Sequence, residues 1–572
     1  MSTTSTIGER THAPSRTGAR VVIESLLEHG VEYIFGLPGA AVLTLFDQLY
    51  DAPIRTILTR HEQGAGHMAD GYARATGKVG VCLTTSGPGA TNLVTAIATA
   101  YMDSVPVVAI TGQVKTNLIG NDAFQEADMT GITRPITKHN YLVKDARQLA
   151  RVFREAFHIA STGRPGPVLI DLPADVTAQV VEGELDSTMR LPGYRPVRSP
   201  HAGQIGRAAE AINASERPVL YAGGGVISSG AAEELRQLAR RGNIPVTTTL
   251  MGLGAFPEDD PLSLKMLGMH GTAYANYAVT HCDLLVCVGA RFDDRVTGKV
   301  DEFAPRAKVI HLDIDPASIG KSIAADIPVV GDAKQALCAL IPLAEHRERR
   351  EWHEQIAQWK RDFPLTYRTD PDAVKPQAVV EAISRITDGR AIIVTDVGQH
   401  QMWTAQYYGF REPRTFLSSG GLGTMGFGLP AAIGARLGRP GRTVFLITSD
   451  GSLQMNIQEM ATAVAHKLPI KIALLNNGYL GMVRQWQELF LKRRYSATYL
   501  ADANPDFVAL AEAYGACGIL VERPDQVRPA LEKAMDEDDR PVLVDFRTAP
   551  EENVFPMVPA GRAINQMLSG MA

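Results

Sequence analysis

The chain has 572 residues, 45% of them hydrophobic and 21% charged, and its 57 basic and 62 acidic side chains leave a net charge of −5. That length exceeds one hydrophobic core and sets an expectation of three to four domains, while the mild, scattered negative charge excludes a nucleic-acid-binding face, which needs clustered lysine and arginine. Five cysteines without CxxC spacing argue for a reducing, cytoplasmic setting without structural zinc, and the least polar stretch, 90–110, is interrupted by Asn92, Asp103 and Pro106, so no membrane span is expected.

Residues 1–17 are rich in Ser, Thr and Arg, lack the apolar core of a secretory signal, and read as a disordered tail. Across 18–185, apolar runs at 34–36, 79–85, 105–110 and 168–171 alternate with helical stretches. Strands so uniformly apolar need helices on both faces, which predicts a doubly wound parallel sheet with function at the carboxyl ends of its strands. Glu62 follows one apolar segment in the run Arg60, His61, Glu62, Gln63. A lone glutamate there is either a helix-capping carboxylate or a general acid–base tuned by burial. The stretch 182–204, with Pro192, Pro196 and Pro200, reads as a linker.

A second domain is expected over 200–345, with strands at 219–222, 246–249, 284–288 and 309–313. Gly223, Gly224 and Gly225 follow the first of these as a dinucleotide-binding loop would, although three glycines equally describe a bare turn. Further unusual residues follow the later strands: Thr249, Leu250 and Met251; Gly268, Met269 and His270; Gly289, Arg291 and Asp293; Asp313 and Ile314. Aspartate at a strand end suits a ribose hydroxyl or an adenine amino group, and Arg291 suits a phosphate. The charged segment 346–376 reads as a second linker.

A third domain is expected over 375–550, with strands at 391–396, 444–448 and 471–476, and a C-terminal tail over 551–572. Asp450, Gly451 and Ser452 follow one strand and Asn477 the next, so both side chains emerge at one sheet edge. A carboxylate, an amide oxygen and the Tyr479 carbonyl suit a hard cation such as Mg²⁺ that shares its shell with a diphosphate; either dipeptide alone is also a common turn. Val483, Trp486 and Phe490 then recur at i, i+3 and i+7, a spacing that equally describes a buried helix face.

The blocks 35–49, 60–77 and 85–92, with the C-terminal Asp450–Asn477 pair, resemble the catalytic large subunit of acetohydroxyacid synthase, or acetolactate synthase, a thiamine-diphosphate enzyme family. The resemblance runs from about Gly18 to near the C-terminus. It implies α/β architecture with three doubly wound parallel-sheet domains, binding in turn the pyrimidine ring of the cofactor, FAD, and the diphosphate with Mg²⁺. It puts Glu62 at the cofactor-activating position and makes Gln125 a second catalytic residue, on the substrate side. Gln399, His400, Gly423 and the apolar prop Met425 fall near the cofactor, whose bend is a proximity device; a methionine there is equally filler. Arg164 and Asp332 join the flavin site, and Phe124, Arg295, Val483 and Trp486 the substrate side, Arg295 meeting the carboxylate of the second keto acid. The implied reaction decarboxylates pyruvate and joins the two-carbon unit to pyruvate or 2-ketobutyrate. A homodimer or homotetramer is implied, with Glu62 of one subunit opposite Asp450 and Asn477 of another, together with a separate regulatory small subunit. The chain departs from the family at Ser449, where glycine is usual, and at Ala174, where lysine is usual; Lys115 stands where relatives vary.

Overall fold

The computed structural model describes residues 16–569. By compactness the chain divides into two units. One extends to Ala69 and adds Val79–Ser161 and Pro165–Tyr194; the other takes Asp70–Lys78, Thr162–Arg164 and the chain from Arg195 onward.

The first unit is built on a six-stranded parallel sheet, in spatial order Arg55–Leu58, Tyr33–Leu37, Gly80–Thr84, Val107–Gln113, Val168–Pro173 and His139–Leu142. Numbered along the chain, that order is 2-1-3-4-6-5. Gly80–Thr84, Val107–Gln113 and Val168–Pro173 are buried at every position, as their apolar composition demands, because helices cover both faces. The two edge strands, Arg55–Leu58 and His139–Leu142, are partly wet and carry no continuous apolar run, so the sequence did not announce them.

The second unit holds two sheets. The middle one runs Ser263–Met266, Val246–Thr248, Pro218–Ala222, Leu284–Val288, Lys308–Asp313 and Ile327–Val330. Its chain-order arrangement, 3-2-1-4-5-6, is that of dinucleotide-binding sheets, whose switch point lies between strands 1 and 4. Alternate residues feed two cores: Leu220 and Ala222 on one face, Val219 and Tyr221 on the other. The last sheet runs Phe416–Leu417, Ile392–Thr395, Val444–Ser449, Lys471–Asn476, Val542–Arg547 and Cys517–Val521. It repeats the 2-1-3-4-6-5 order of the first unit, a duplication of topology that no short sequence repeat reveals.

Several expectations need correction. Of the tail expected over 1–17, Arg16–Thr17 form a short strand paired with Val180–Val181; the rest lies outside the described residues. The segment 346–376 is not simply a linker: it contains the helix Arg350–Asp362, which buries Trp352 and Ile356, with Trp352 Nε1 donating to the Pro218 carbonyl at 3.2 Å. Residues 182–204 likewise attach Leu185, Leu191 and Tyr194 to the core of the first unit. Residues 551–569 are packed rather than a loose tail, because Val554, Val558 and Ile564 are buried apolar side chains; 570–572 lie outside the described residues.

Candidate active site

The last sheet delivers Asp396, Asp450 and Asn477 from the carboxyl ends of three adjacent strands. Asp450 opens the short helix Asp450–Leu453, capped by Ser449, whose hydroxyl accepts from Ser452 N–H. Its carboxylate is fully buried. Oδ2 accepts from Asn504 Nδ2 at 2.8 Å, whereas Oδ1 is buried without a hydrogen-bond partner. Burial pushes the pKa of Asp450 up to about 6, against the pull of the Asn504 hydrogen bond. A buried, bare carboxylate oxygen fits a cation ligand, since leaving it unpaired is otherwise costly. One carboxylate with amide and carbonyl oxygens at the same sheet edge is a donor set of the kind Mg²⁺ takes when it shares its shell with phosphates.

Asn477 lies one strand away. Its Oδ1 accepts from Tyr479 N–H at 3.1 Å and its Nδ2 donates to Gln399 Oε1 at 3.3 Å. Gln399 in turn donates to Gln485 at 2.9 Å and to the Glu552 carbonyl at 2.8 Å. A Cβ on Gly481 would stand 2.2 Å from Gln399 Oε1, so this network requires glycine there. His400 is buried with Nε2 unpartnered, and burial lowers its pKa to about 3, so it is a neutral ring at physiological pH. Asp396 links its strand to the next by accepting from Thr448 Oγ1 at 2.7 Å, and anchors the start of the helix Gly428–Gly438 by accepting from Gly428 N–H at 2.8 Å. Gly423 adopts φ 74°, and a Cβ on Gly451 would sit 4.0 Å from Met425 Cε, which places that methionine beside the Asp450 turn.

The helix Gly481–Phe490 reverses ordinary amphipathicity. Arg484, Gln485 and Gln487 are buried, with Arg484 donating to Asn553 Oδ1 at 2.8 Å and Gln485 Oε1 accepting from Val554 N–H at 2.8 Å. Val483 is 49% exposed and Phe490 40%, and the Trp486 ring packs on Phe490 at 5.2 Å. The i, i+3, i+7 stripe is thus not core; it is an apolar face left open on a helix held by its polar side.

In the first unit, Glu62 opens the helix Glu62–Thr76 and is 8% exposed, with Oε2 accepting from Asn92 Nδ2 at 2.9 Å. Gly89 is close enough that a Cβ there would lie 3.3 Å from Glu62 Oε1. Gln125 has φ 59° and packs on Gly87, whose own φ is 61° and whose Cβ would meet Gln125 Cα at 2.9 Å. Phe124 beside it is 88% exposed. Ala174 starts the short helix Ala174–Ala178, and Lys115 caps another turn without a side-chain bond.

The residues singled out in the middle of the chain gather at the carboxyl ends of the six strands of one sheet. Gly223, Gly224 and Gly225 follow Pro218–Ala222; Gly289, Arg291 and Asp293 follow Leu284–Val288; between these two strands lies the switch point. Backbones touch there: a Cβ on Gly223 would meet Gly289 O at 2.2 Å, and one on Gly225 would meet Gly289 Cα at 2.7 Å. Thr249, Leu250 and Met251 follow Val246–Thr248, and Gly268, Met269 and His270 follow Ser263–Met266. Met269 N–H donates to the Arg295 carbonyl at 2.7 Å, and burial lowers His270 to about 4. Asp313 and Ile314 end Lys308–Asp313, where burial raises Asp313 to about 6; Arg164 reaches Asp315 at 3.4 Å. Asp332 caps the helix Ala333–Leu340, and Asp293 caps Asp294–Thr297, so both carry a structural duty. The Arg295 side chain is 64% exposed.

Three family models cover most of the chain: the thiamine pyrophosphate enzyme N-terminal TPP binding domain at 16–132, its central domain at 205–340, and its C-terminal TPP binding domain at 396–546. The chain is 52% identical over 563 residues to the acetolactate synthase large subunit of Corynebacterium glutamicum, covering 96% of this chain and 90% of that one. It is 52% identical over 562 residues to acetolactate synthase of Mycobacterium bovis, covering 96% and 91%. The chain belongs to the acetolactate synthase large subunits. It is 48% identical over 563 residues to the acetolactate synthase isozyme 3 large subunit of Escherichia coli, covering 96% and 98%. Within this thiamine-diphosphate family, Glu62 falls in the matched N-terminal TPP binding domain, and Asp450 and Asn477 in the C-terminal one. Asn92, Asn504, Gln485 and Glu552, which hold Glu62, Asp450 and Gln399, were not singled out from sequence. Asn92 lay inside a recognised block and Gln485 between Val483 and Trp486, whereas nothing local distinguishes Asn504 from a loop asparagine.

Proposed function

We propose that the chain is the catalytic subunit of an acetolactate synthase, decarboxylating pyruvate and joining the hydroxyethyl unit to pyruvate or 2-ketobutyrate. The products are 2-acetolactate and 2-aceto-2-hydroxybutyrate, at the first common step of branched-chain amino-acid biosynthesis. The observation that carries this reading is the near-complete, roughly half-identical match to acetolactate synthase large subunits. Bound thiamine diphosphate supplies the electron sink for decarboxylation, while the protein orients it and keeps water away. Glu62, buried and held by Asn92, keeps a proton at the aminopyrimidine nitrogen. Asp450, Asn477 and the Tyr479 carbonyl hold Mg²⁺, which the bare Asp450 oxygen fits. Gln399, His400, Gly423, Gly451 and Ser452 surround the diphosphate, and Met425 props the cofactor.

The 3-2-1-4-5-6 sheet and its residue set suit FAD, with Gly223–Gly225 at the switch point and Arg164 and Arg291 toward its phosphates. The open Val483–Trp486 face, Phe124 and Gln125 line the substrate side, and Arg295 takes the acceptor carboxylate. A cytoplasmic homodimer or homotetramer with three domains over 18–185, 200–345 and 375–550 completes this reading, joined by a regulatory small subunit, for which the "large subunit" names of relatives speak. The test is turnover of pyruvate, with and without 2-ketobutyrate, by protein supplied with thiamine diphosphate, Mg²⁺ and FAD, products being identified by mass spectrometry. Acetaldehyde or acetyl phosphate in place of the acetohydroxy acids would refute it.

A further inference from the structure

At the amino ends of the last sheet, opposite the strand ends that carry Asp450, lies a cleft of about 380 Å³ lined by Arg236, Arg411, Arg414, Arg439, Arg442 and Glu412. Its position follows from the chain: the loop bearing Arg411 and Arg414 leads into Phe416–Leu417, and Arg442 shortly precedes Val444–Ser449. Arg236 comes from the helix Ala232–Gly242 beside the middle sheet.

Carboxylates engage only part of this charge. Arg442 pairs with Glu412, Arg411 with Asp259 at 3.1 Å and Asp388 at 2.9 Å, and Arg236 with Glu233 at 3.3 Å. Arg414 donates instead to the carbonyls of Arg74 at 3.1 Å and Ile227 at 3.3 Å. Neither Arg414 nor Arg439 has a carboxylate partner among the described residues. Arg236 keeps its Nε buried without an acceptor. Burial, and next the charge of the exposed Arg439, lower the pKa of Arg414, so a part-buried guanidinium faces a second, solvent-exposed one across the cleft. Solvated surface arginines ordinarily turn away from one another; here the fold holds them around one concavity.

We propose that this cleft binds the phosphoryl group of a small phosphorylated metabolite or free phosphate, at a site separate from the cofactor and flavin sites. A phosphate dianion balances the charge of the two guanidinium groups that lack a carboxylate, and the planar fork of Arg439 matches two of its oxygens. The volume lies within the range of small-molecule pockets. Because Arg236 belongs to the middle domain and the other arginines to the last, a bound phosphate ties the two together.

The test uses holoenzyme saturated with thiamine diphosphate, Mg²⁺ and FAD, so that the diphosphate sites already described are filled. Inorganic phosphate and ribose 5-phosphate are titrated by calorimetry, with chloride at matched ionic strength as the reference. One site per chain is expected, weakened at least about tenfold in Arg439→Gln, the equivalent of one charge-assisted bond. Arg439→Lys, which keeps the charge and loses the fork, falls between. With no probe present, kcat and KM for pyruvate stay at parental values in both variants. Equal affinity for the two probes identifies free phosphate as the ligand, and tighter ribose 5-phosphate binding identifies a phosphorylated metabolite. Absence of binding beyond chloride, or unchanged binding in Arg439→Gln, overturns the proposal.

Discussion

Replacing Asn504 by alanine isolates the support of Asp450. The 2.8 Å bond from Asn504 Nδ2 is the hydrogen bond that steadies Asp450 Oδ2, and Asn504 is itself held through its Oδ1 by Gln454 Nε2 at 3.0 Å. A hydrogen bond to a charged group contributes about 1.5–3 kcal/mol, and loss of a residue that orients a metal ligand weakens metal binding by roughly 10- to 100-fold. Asn504→Ala is therefore expected to raise the Mg²⁺ concentration for half-maximal activity by about 10- to 100-fold while kcat at saturating Mg²⁺ changes little. The proton follows the same logic. Asp450 already titrates near 6 because it is buried, and losing the Asn504 bond moves it higher. A folded-state pKa above the unfolded value means stability is lost as pH rises through it, so the variant apoprotein continues to lose stability above pH 6, where the parent has finished. The assay is a Mg²⁺ titration of initial rate, paired with apoprotein melting from pH 5 to 8. An unchanged Mg²⁺ requirement in a folded variant refutes the role given to Asp450.

Gly225→Ala forces a Cβ to within 2.7 Å of Gly289 Cα and should cost the fold of the middle sheet, seen as loss of soluble protein or a large drop in Tm. Gly224→Ala meets nothing nearer than Met251 Cβ at 3.4 Å, so it should fold normally but lose flavin on gel filtration; full flavin retention would remove Gly224 from the binding loop. Trp486→Ala should alter the ratio of 2-ketobutyrate to pyruvate used as acceptor with a stability change below about 1 kcal/mol, since Trp486 lies outside the buried set of its helix and its ring pairs with the exposed Phe490; a large fall in Tm would return this face to the core. Glu258 is buried with both oxygens lacking hydrogen bonds, 3.8 Å from Lys265, and burial raises its pKa to about 7. The folded state holds that proton more tightly, so this contribution to stability is full below about pH 4.5 and is lost as pH rises to 7. Glu258→Gln should flatten the fall in Tm across that window, and an unaltered slope would contradict the assignment.

How much the sequence revealed depended on burial. Strands such as Val107–Gln113 and Leu284–Val288 lie in sheet interiors and carry unbroken apolar runs, Val107–Ile110 in the first, so they were legible. Edge strands such as His139–Leu142 and Cys517–Val521 meet water on one side and looked like loops. Val542–Arg547 was missed although interior, because Asp545 interrupts its apolar run to bond Asn476 at 3.1 Å. The helix Arg350–Asp362 was hidden by its charged outer face, yet Trp352, Ile356 and Trp359 carried the i, i+4, i+7 signal. Residues at strand ends were recognisable because their chemistry is out of place there. Their supports, Asn504 above all, were not, since long-range partners leave no mark in local sequence. The Val483–Trp486–Phe490 spacing was ambiguous until the structure showed that the opposite, polar face is the buried one.

The central claim is that Glu62, buried against Asn92, activates the cofactor for pyruvate carboligation. Its most direct test compares Glu62→Gln with the parent, both saturated with thiamine diphosphate, Mg²⁺ and FAD, by single-turnover formation of 2-acetolactate from pyruvate. Glutamine keeps the shape and cannot hold the proton, so the account predicts a fall in rate of at least about 100-fold with cofactor still bound. A variant that forms 2-acetolactate at the parental rate would contradict it.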